Sequence, residues 1–247
     1  VDERVRLAGE LYERAIFNGE AGGLTKAHRE LDAAEAELVL ARGKVLHGRF
    51  LDNRAADPRE LKLFERALAL YNALGDERGK AEALFWIGCC HQVVRDDIKP
   101  AVSALNVSRA LAEKSGDDLT LAYALRHLGI AAHTAGDLDE ARALLEQSTA
   151  IRRALGFTAG VAANLVGLMY VARAQGRLDD AHSLADEAAN LAGAVGATTV
   201  LGQVSEARWA LKLTSPGSAT PGGWGARLRE WCRRRGLGRP RFRRGAG

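Results

Sequence analysis

Proline is scarce, with 5 in 247 residues. It breaks helix interiors by removing a backbone donor and clashing with the preceding turn. Its scarcity leaves room for uninterrupted helices, and the dominance of Ala, Leu, Glu and Arg favours them further. Cysteine is scarce too. Cys89, Cys90 and Cys232 form an odd set with two adjacent members, which excludes a disulfide framework and fits a reducing compartment. No run of about 18 apolar residues occurs, so the sequence offers no membrane-spanning helix. The opening stretch VDERVRLAGE carries acids and lacks the apolar centre of a signal peptide. The expected location is cytoplasmic.

Catalytic and cofactor signatures are lacking as well. NGEAGGLTK, residues 18–26, is glycine-rich, but it has no Gly-Lys-Ser/Thr and no preceding strand, so it reads as an interhelix loop. In GCCHQ, residues 88–92, consecutive helical residues point about 100° apart. Cys89, Cys90 and His91 therefore cannot share one metal. His127 and His133 are six apart, whereas paired helical ligands need three or four. His47 and His127 read as core or rim residues, and His28 and His182 as surface. No carboxylate pair, Ser-His-Asp set or zinc spacing stands out. No catalytic residue, cofactor or metal is expected.

Charge is divided unevenly. The net charge is +4, yet residues 214–247 hold nine arginines and one glutamate, or +8. The remaining chain is mildly acidic at −4. An argument for nucleic acid or an anionic surface must rest on that tail. In WGARLREWCRRR, residues 224–235, Trp224, Leu228, Trp231 and Arg235 share one face if helical. Interleaved Trp and Arg suit RNA, DNA or anionic lipid. The competing reading is a Gly/Pro/Arg-rich disordered tail with no selected role.

What is present is a repeat. TAGDLDEARALLEQSTAIRRALG, residues 134–156, and AQGRLDDAHSLADEAANLAGAVG, residues 174–196, share Gly, Leu, Asp and Ala at matching places. Gly75, Gly116, Gly156 and Gly196 recur at intervals of 41, 40 and 40. Between them lie Asp96-Asp97, Gly136-Asp137 and Gly176-Arg177, again 40 apart. Glycine just past a helix takes the left-handed conformation that closes it, and a following Asp caps the next helix. Asp137 with Glu140 predicts a capping box. DPRE, residues 57–60, predicts Asp57 as cap, Pro58 at the first helical position and Glu60 in the first turn. Arg177 is a poor cap.

Between these markers the apolar spacing is helical. Leu121, Leu125, Leu128 and Ala132 share one face, as do Ala141, Leu144, Leu145, Ser148 and Ile151. Each unit therefore reads as two antiparallel helices, predicted near 57–74, 77–95, 98–115, 118–135, 138–155, 158–175, 178–195 and 198–213. Residues 3–17 read as a helix, and 24–52 as one long helix or two. The expected fold is all-α. Three regions follow: an N-terminal helical cap over 1–35, helical repeats over 36–213 and the tail over 214–247.

LKLFERALALYNALGDERGKAEALFWIG, residues 61–88, resembles the tetratricopeptide repeat family in its longer, bacterial-type form. That resemblance implies a right-handed superhelical solenoid. It assigns Gly48, Cys89, Gly129 and Met169 to a small position late in each first helix. Ala101/Leu105, Ala141/Leu145 and Ala181/Ala185 are the facing pairs, with Glu60/Phe64 an imperfect match. Met169 and Ala185 depart from the pattern, which suggests local adjustment between neighbours. The resemblance also implies that first helices line a concave groove. Carried over residue by residue, the groove includes Arg49, Trp86, Cys90, Tyr123, Arg126, His133, Tyr170 and Arg173.

Aromatics and arginines on a groove in an acidic body form an interface-like composition. The first reading is a non-enzymatic scaffold for protein–protein interaction, binding a peptide or protein segment. Trp86, Tyr123 and Tyr170 would anchor it, and Arg49, Arg126 and Arg173 would grip acidic groups. A second reading is a small-molecule sensor or enzyme with Tyr170, Arg126 and His133 converging in a closed pocket. A third is nucleic-acid binding through the tail. Trp86 and Tyr123 also admit a plain reading as inter-repeat core. Cys90 reads either as a groove thiol activated by a cation or as buried and inert.

Overall fold

The computed structural model describes residues 2–212. The arginine-rich tail, with Trp224, Leu228, Trp231, Cys232 and Arg235, lies outside the described residues. Those described form ten α-helices and no strand. These are α1 Glu3–Phe17, α2 Gly23–Asn53, α3 Arg59–Leu74, α4 Glu77–Cys89 and α5 Ile98–Ser115. They continue as α6 Asp118–Ala135, α7 Leu138–Ala154, α8 Thr158–Ala174, α9 Leu178–Ala194 and α10 Thr198–Lys212. Among the described residues no helix is long and apolar enough to cross a membrane.

Each helix packs on the next, and α2/α3, α4/α5, α6/α7 and α8/α9 are the close pairs. The result is an all-α helical-repeat solenoid. Alternate helices α4, α6, α8 and α10 also touch one another, whereas α5, α7 and α9 make no comparable mutual contacts. The layer whose members approach more closely is the inside of the curve. The first helix of each pair therefore forms the inner face.

Chain punctuation sets the helix ends. Gly75, Gly116, Gly156 and Gly196 have φ of 71°, 67°, 67° and 66°, the left-handed region that a Cβ disfavours. Asp76 caps α4 by accepting from Gly79 N–H at 2.9 Å. Asp117 caps α6 by accepting from Thr120 N–H at 3.2 Å. The capping box expected at Asp137 is not formed, because its side chain makes no cap hydrogen bond. A backbone bond from Leu138 N–H to Gly136 C=O, 3.0 Å, serves that first turn instead. Asp57 accepts from Arg59 N–H at 2.9 Å and Glu60 lies in the first turn, where it is buried, while Pro58 stands just before the first helical residue Arg59. Residues 23–53 form a single helix, so α2 runs unbroken through the expected boundary between residues 35 and 36.

The interval of 41 has a structural cause. Ser108 Oγ donates to Ala81 C=O at 2.7 Å, and Ser148 Oγ to Ala122 C=O at 2.6 Å. The serines are 40 apart and their acceptors 41, so the stretch from Ala81 to Ser108 carries one residue more than that from Ala122 to Ser148. That residue is absorbed at Cys90–Val94, a π-helical turn, before Asp96 enters the left-handed region at φ 54°. The small position consequently moves. In α6 it is Gly129, where a Cβ would stand 2.9 Å from Leu145 Cγ. In α4 it is Gly88 rather than Cys89, with 2.7 Å to Leu105 Cγ. In α2 it is Gly43, against the Phe64 ring, whereas Gly48 faces open space. In α8 the sizes are exchanged: Met169 is the large residue and Ala185 the small one, both buried in one core cluster.

Candidate ligand-binding face

A ladder of aromatic rings crosses the inner layer. His47 of α2 meets Trp86 of α4 edge-on at 5.4 Å, and Phe64 of α3 stacks on Trp86 at 5.7 Å. Trp86 meets Phe85 at 5.0 Å, and Phe85 stacks on Tyr123 of α6 at 5.3 Å. Tyr123 meets Phe157, just before α8, at 6.2 Å. Lys44 Nζ lies 5.7 Å from the Trp86 ring centre. Trp86 and Tyr123 remain half-exposed while Phe64 and Phe85 are buried. Each pair lies within the range of favourable ring contacts.

The expected site residues distribute along this face. Arg49 is exposed near the end of α2. Trp86 is both ladder rung and inter-unit core, and the longer interval places it at the level of His127 rather than Arg126. Tyr123 and Arg126 sit together on α6. His133 is half-buried at the end of α6, and burial lowers its pKa. Tyr170 is half-buried against the core of the last units. Arg173, one turn on, is half-buried with a pKa lowered by burial.

Arg126 does not reach outward for an acid. Its Nη1 donates to Ala163 C=O at 2.8 Å and to Asn164 Oδ1 at 2.9 Å, both on α8. Asn164 Nδ2 in turn donates to Ser148 Oγ at 2.8 Å. Burial lowers the Arg126 pKa to about 10.

Arg152 of α7 escaped the sequence reading. It is 2% exposed, and its guanidinium lies 4.8 Å from the Tyr123 ring centre and 5.5 Å from that of Phe157. Nη1 donates to Gly160 C=O at 2.8 Å, but Nε and Nη2 have no partner. Burial first, then the charge of Arg126, lowers its pKa to about 9. Both arginines thus stay protonated at neutral pH. Arg153 beside it is exposed and pairs with Glu187 at 2.5 Å.

A signal for Arg152 did exist in the repeat. Tyr71, Ala112, Arg152 and Ala192 are equivalent, since the carbonyl of each accepts from the N–H just past the helix-ending glycine. The other three are buried and apolar. Arg126 corresponds to Phe85 and Val166, and Asn164 to Ala83, Ala124 and Val204, again buried and apolar; in α10 the Arg126 column ends on the half-buried Glu206. Three polar intruders in apolar columns therefore meet at one junction of α6, α7 and α8.

A second buried cluster follows from the π-helical turn. Gln92 Oε1 accepts from His127 Nδ1 at 2.6 Å, and its Nε2 donates to His127 C=O at 3.0 Å. Burial holds the His127 imidazole well below its usual range. His47 Nδ1 lies 2.8 Å from Glu60 Oε1, fully inside. Cys90 is not an activated thiol: burial, with Glu60 nearby, pushes its pKa up to about 12. Among the described residues no group of three His, Cys, Asp or Glu is placed to hold a metal.

A cleft on the outer side, between α7, α8 and α9, is edged by Arg142, Glu146, Arg177 and Asp180. Those charges pair among themselves. The inner junction around Arg152 has no such compensation.

Fold and face together define an all-α helical-repeat protein with an aromatic inner layer. The sequence matches no family model and no curated protein. Among solved structures it is similar to the crystal structure of BtubC (BKLC) from P. vanneervenii. Identity is 15% and the TM-score 0.39, over 90% of this chain and 94% of that one. So remote a likeness assigns neither family nor activity.

Proposed function

We propose that this chain is a tetratricopeptide-type scaffold that binds a peptide or protein segment along its inner face. The aromatic ladder supports this reading. A run of contacting rings across several units, with Trp86 and Tyr123 left half-exposed, is the composition of an interaction face. Aromatic rings provide contact area at small entropic cost, and stacked units repeat that area along an extended ligand. The reading is of binding rather than catalysis.

Panning a displayed random-peptide library against the full chain tests it. Selected peptides should bind wild type and lose about 1–4 kcal/mol against Tyr123→Ala or Tyr170→Ala, the range for anchor truncation. Circular dichroism confirms that the variants remain helical. Unchanged affinity in both folded variants would place the ligand elsewhere.

A further inference from the structure

A buried charge without a counter-charge is costly, and proteins keep one where a function requires it. The junction of α6, α7 and α8 keeps two. Neither Arg126 nor Arg152 is ion-paired to a carboxylate among the described residues, and two N–H-bearing nitrogens of Arg152 have no partner. The groups that do contact them are carbonyls, an amide and two aromatic faces. In the neighbouring units the equivalent positions are filled by buried apolar residues. Architecture alone does not demand arginine here.

We infer that Arg126, Arg152 and Asn164 form a receptor for an oxyanion, a carboxylate or a phosphate, at the inner face beside Tyr123. This rests on the inner face being the binding face and adds the chemistry that one part of it recognises. Arg126 is half-buried and presents the first guanidinium to the ligand. Rotation of the half-exposed Tyr123 ring gives the same ligand access to Nε and Nη2 of Arg152. Two guanidinium forks around one anion satisfy those donors with charge-assisted hydrogen bonds. The low-polarity surroundings strengthen each of them. Asn164 is already tied to Ser148 and fixes where the Arg126 fork sits.

The test is thermal melting of the full chain in inorganic phosphate and in acetate, with ionic strength held constant by KCl. At ten times the dissociation constant, the melting temperature should rise on the order of 3–6 °C. A matching response to acetate identifies a carboxylate, as from an acidic peptide; a response to phosphate alone identifies a phosphorylated group. Arg126→Gln and Arg152→Met should abolish the rise. Arg152→Met should also melt at or above wild type without ligand, because an apolar residue then restores the column. A purely structural Arg152 would give the opposite: a lower melt. Arg126→Gln decides the matter if Arg152→Met fails to fold. No response in wild type, or an undiminished response in Arg126→Gln, overturns the inference. Peptides that bind Arg126→Gln as well as wild type would overturn this site and leave the groove reading standing. An anion response with no peptide selected would do the reverse.

Discussion

Gly88 of α4 faces Leu105 of α5 so closely that a Cβ would stand 2.7 Å from Leu105 Cγ and 3.3 Å from Ala101 C=O. Its counterpart Gly129 meets Leu145 and Ala141 in the same way. Gly88→Ala and Gly129→Ala should each destabilise by about 1–3 kcal/mol, the cost of forcing volume into a filled contact. Gly48 lies mid-helix with nothing nearby. Gly48→Ala should therefore stabilise by about 0.5–1 kcal/mol through backbone entropy. Urea denaturation of the three variants measures this. A loss at Gly48 and none at Gly88 would mean that α2 and α4 have been placed in the wrong register.

Leu128 and Leu144 are 6% and 5% exposed and share a core cluster across α6 and α7. Leu128→Ala and Leu144→Ala should each cost about 2–5 kcal/mol. Near-zero changes at both, read by chemical denaturation, would sink the pairing of these helices.

Asp96 holds φ 54° where the later units have Gly136 and Gly176 at 92° and 79°. Left-handed geometry costs an L-residue about 1–2 kcal/mol, less for Asp than for most. Asp96→Gly should raise the melting temperature slightly, and Gly136→Ala should lower it. If both changed the melt in the same direction, backbone strain would not be what distinguishes these two turns.

Acid should weaken the fold through His127. Burial, assisted by the charge of Arg126, lowers its folded pKa well below the ordinary value of about 6.5. The neutral ring is thus the folded form. Its contribution is complete above about pH 6.5 and is lost as pH falls from there toward the depressed folded value. Burial moves His133 the same way. His127→Gln removes the titration, so its stability should fall less steeply over that window when followed by denaturation at stepped pH. An acid dependence identical to wild type would assign the loss to other groups.

Helix existence and most helix ends were legible in the sequence because they are local matters. A glycine in the left-handed region, an Asp within reach of the next turn's N–H groups and apolar residues three and four apart act within a dozen residues of chain. They fixed α5 and α6 to the residue and the inner ends of α7 to α9 within one. The interval of 41 was visible too. What it meant was decided only in three dimensions, because either α4 or its flanking turn could have taken the extra residue. Packing of Gly88 against Leu105, and of Ala81 against Ser108, held the front of α4 in place and left the π-helical turn to absorb it. The same division separates Arg152 from Arg153. As neighbours in sequence they look alike, and a long polar side chain ordinarily reads as surface. One turns outward to Glu187, while the other turns inward between Tyr123 and Phe157. Successive helical residues diverge by about 100°, so which arginine enters the junction depends on how α7 is rotated against α6 and α8. That rotation is set by the stacking of units some 40 residues apart, a contact that no local pattern of residues encodes.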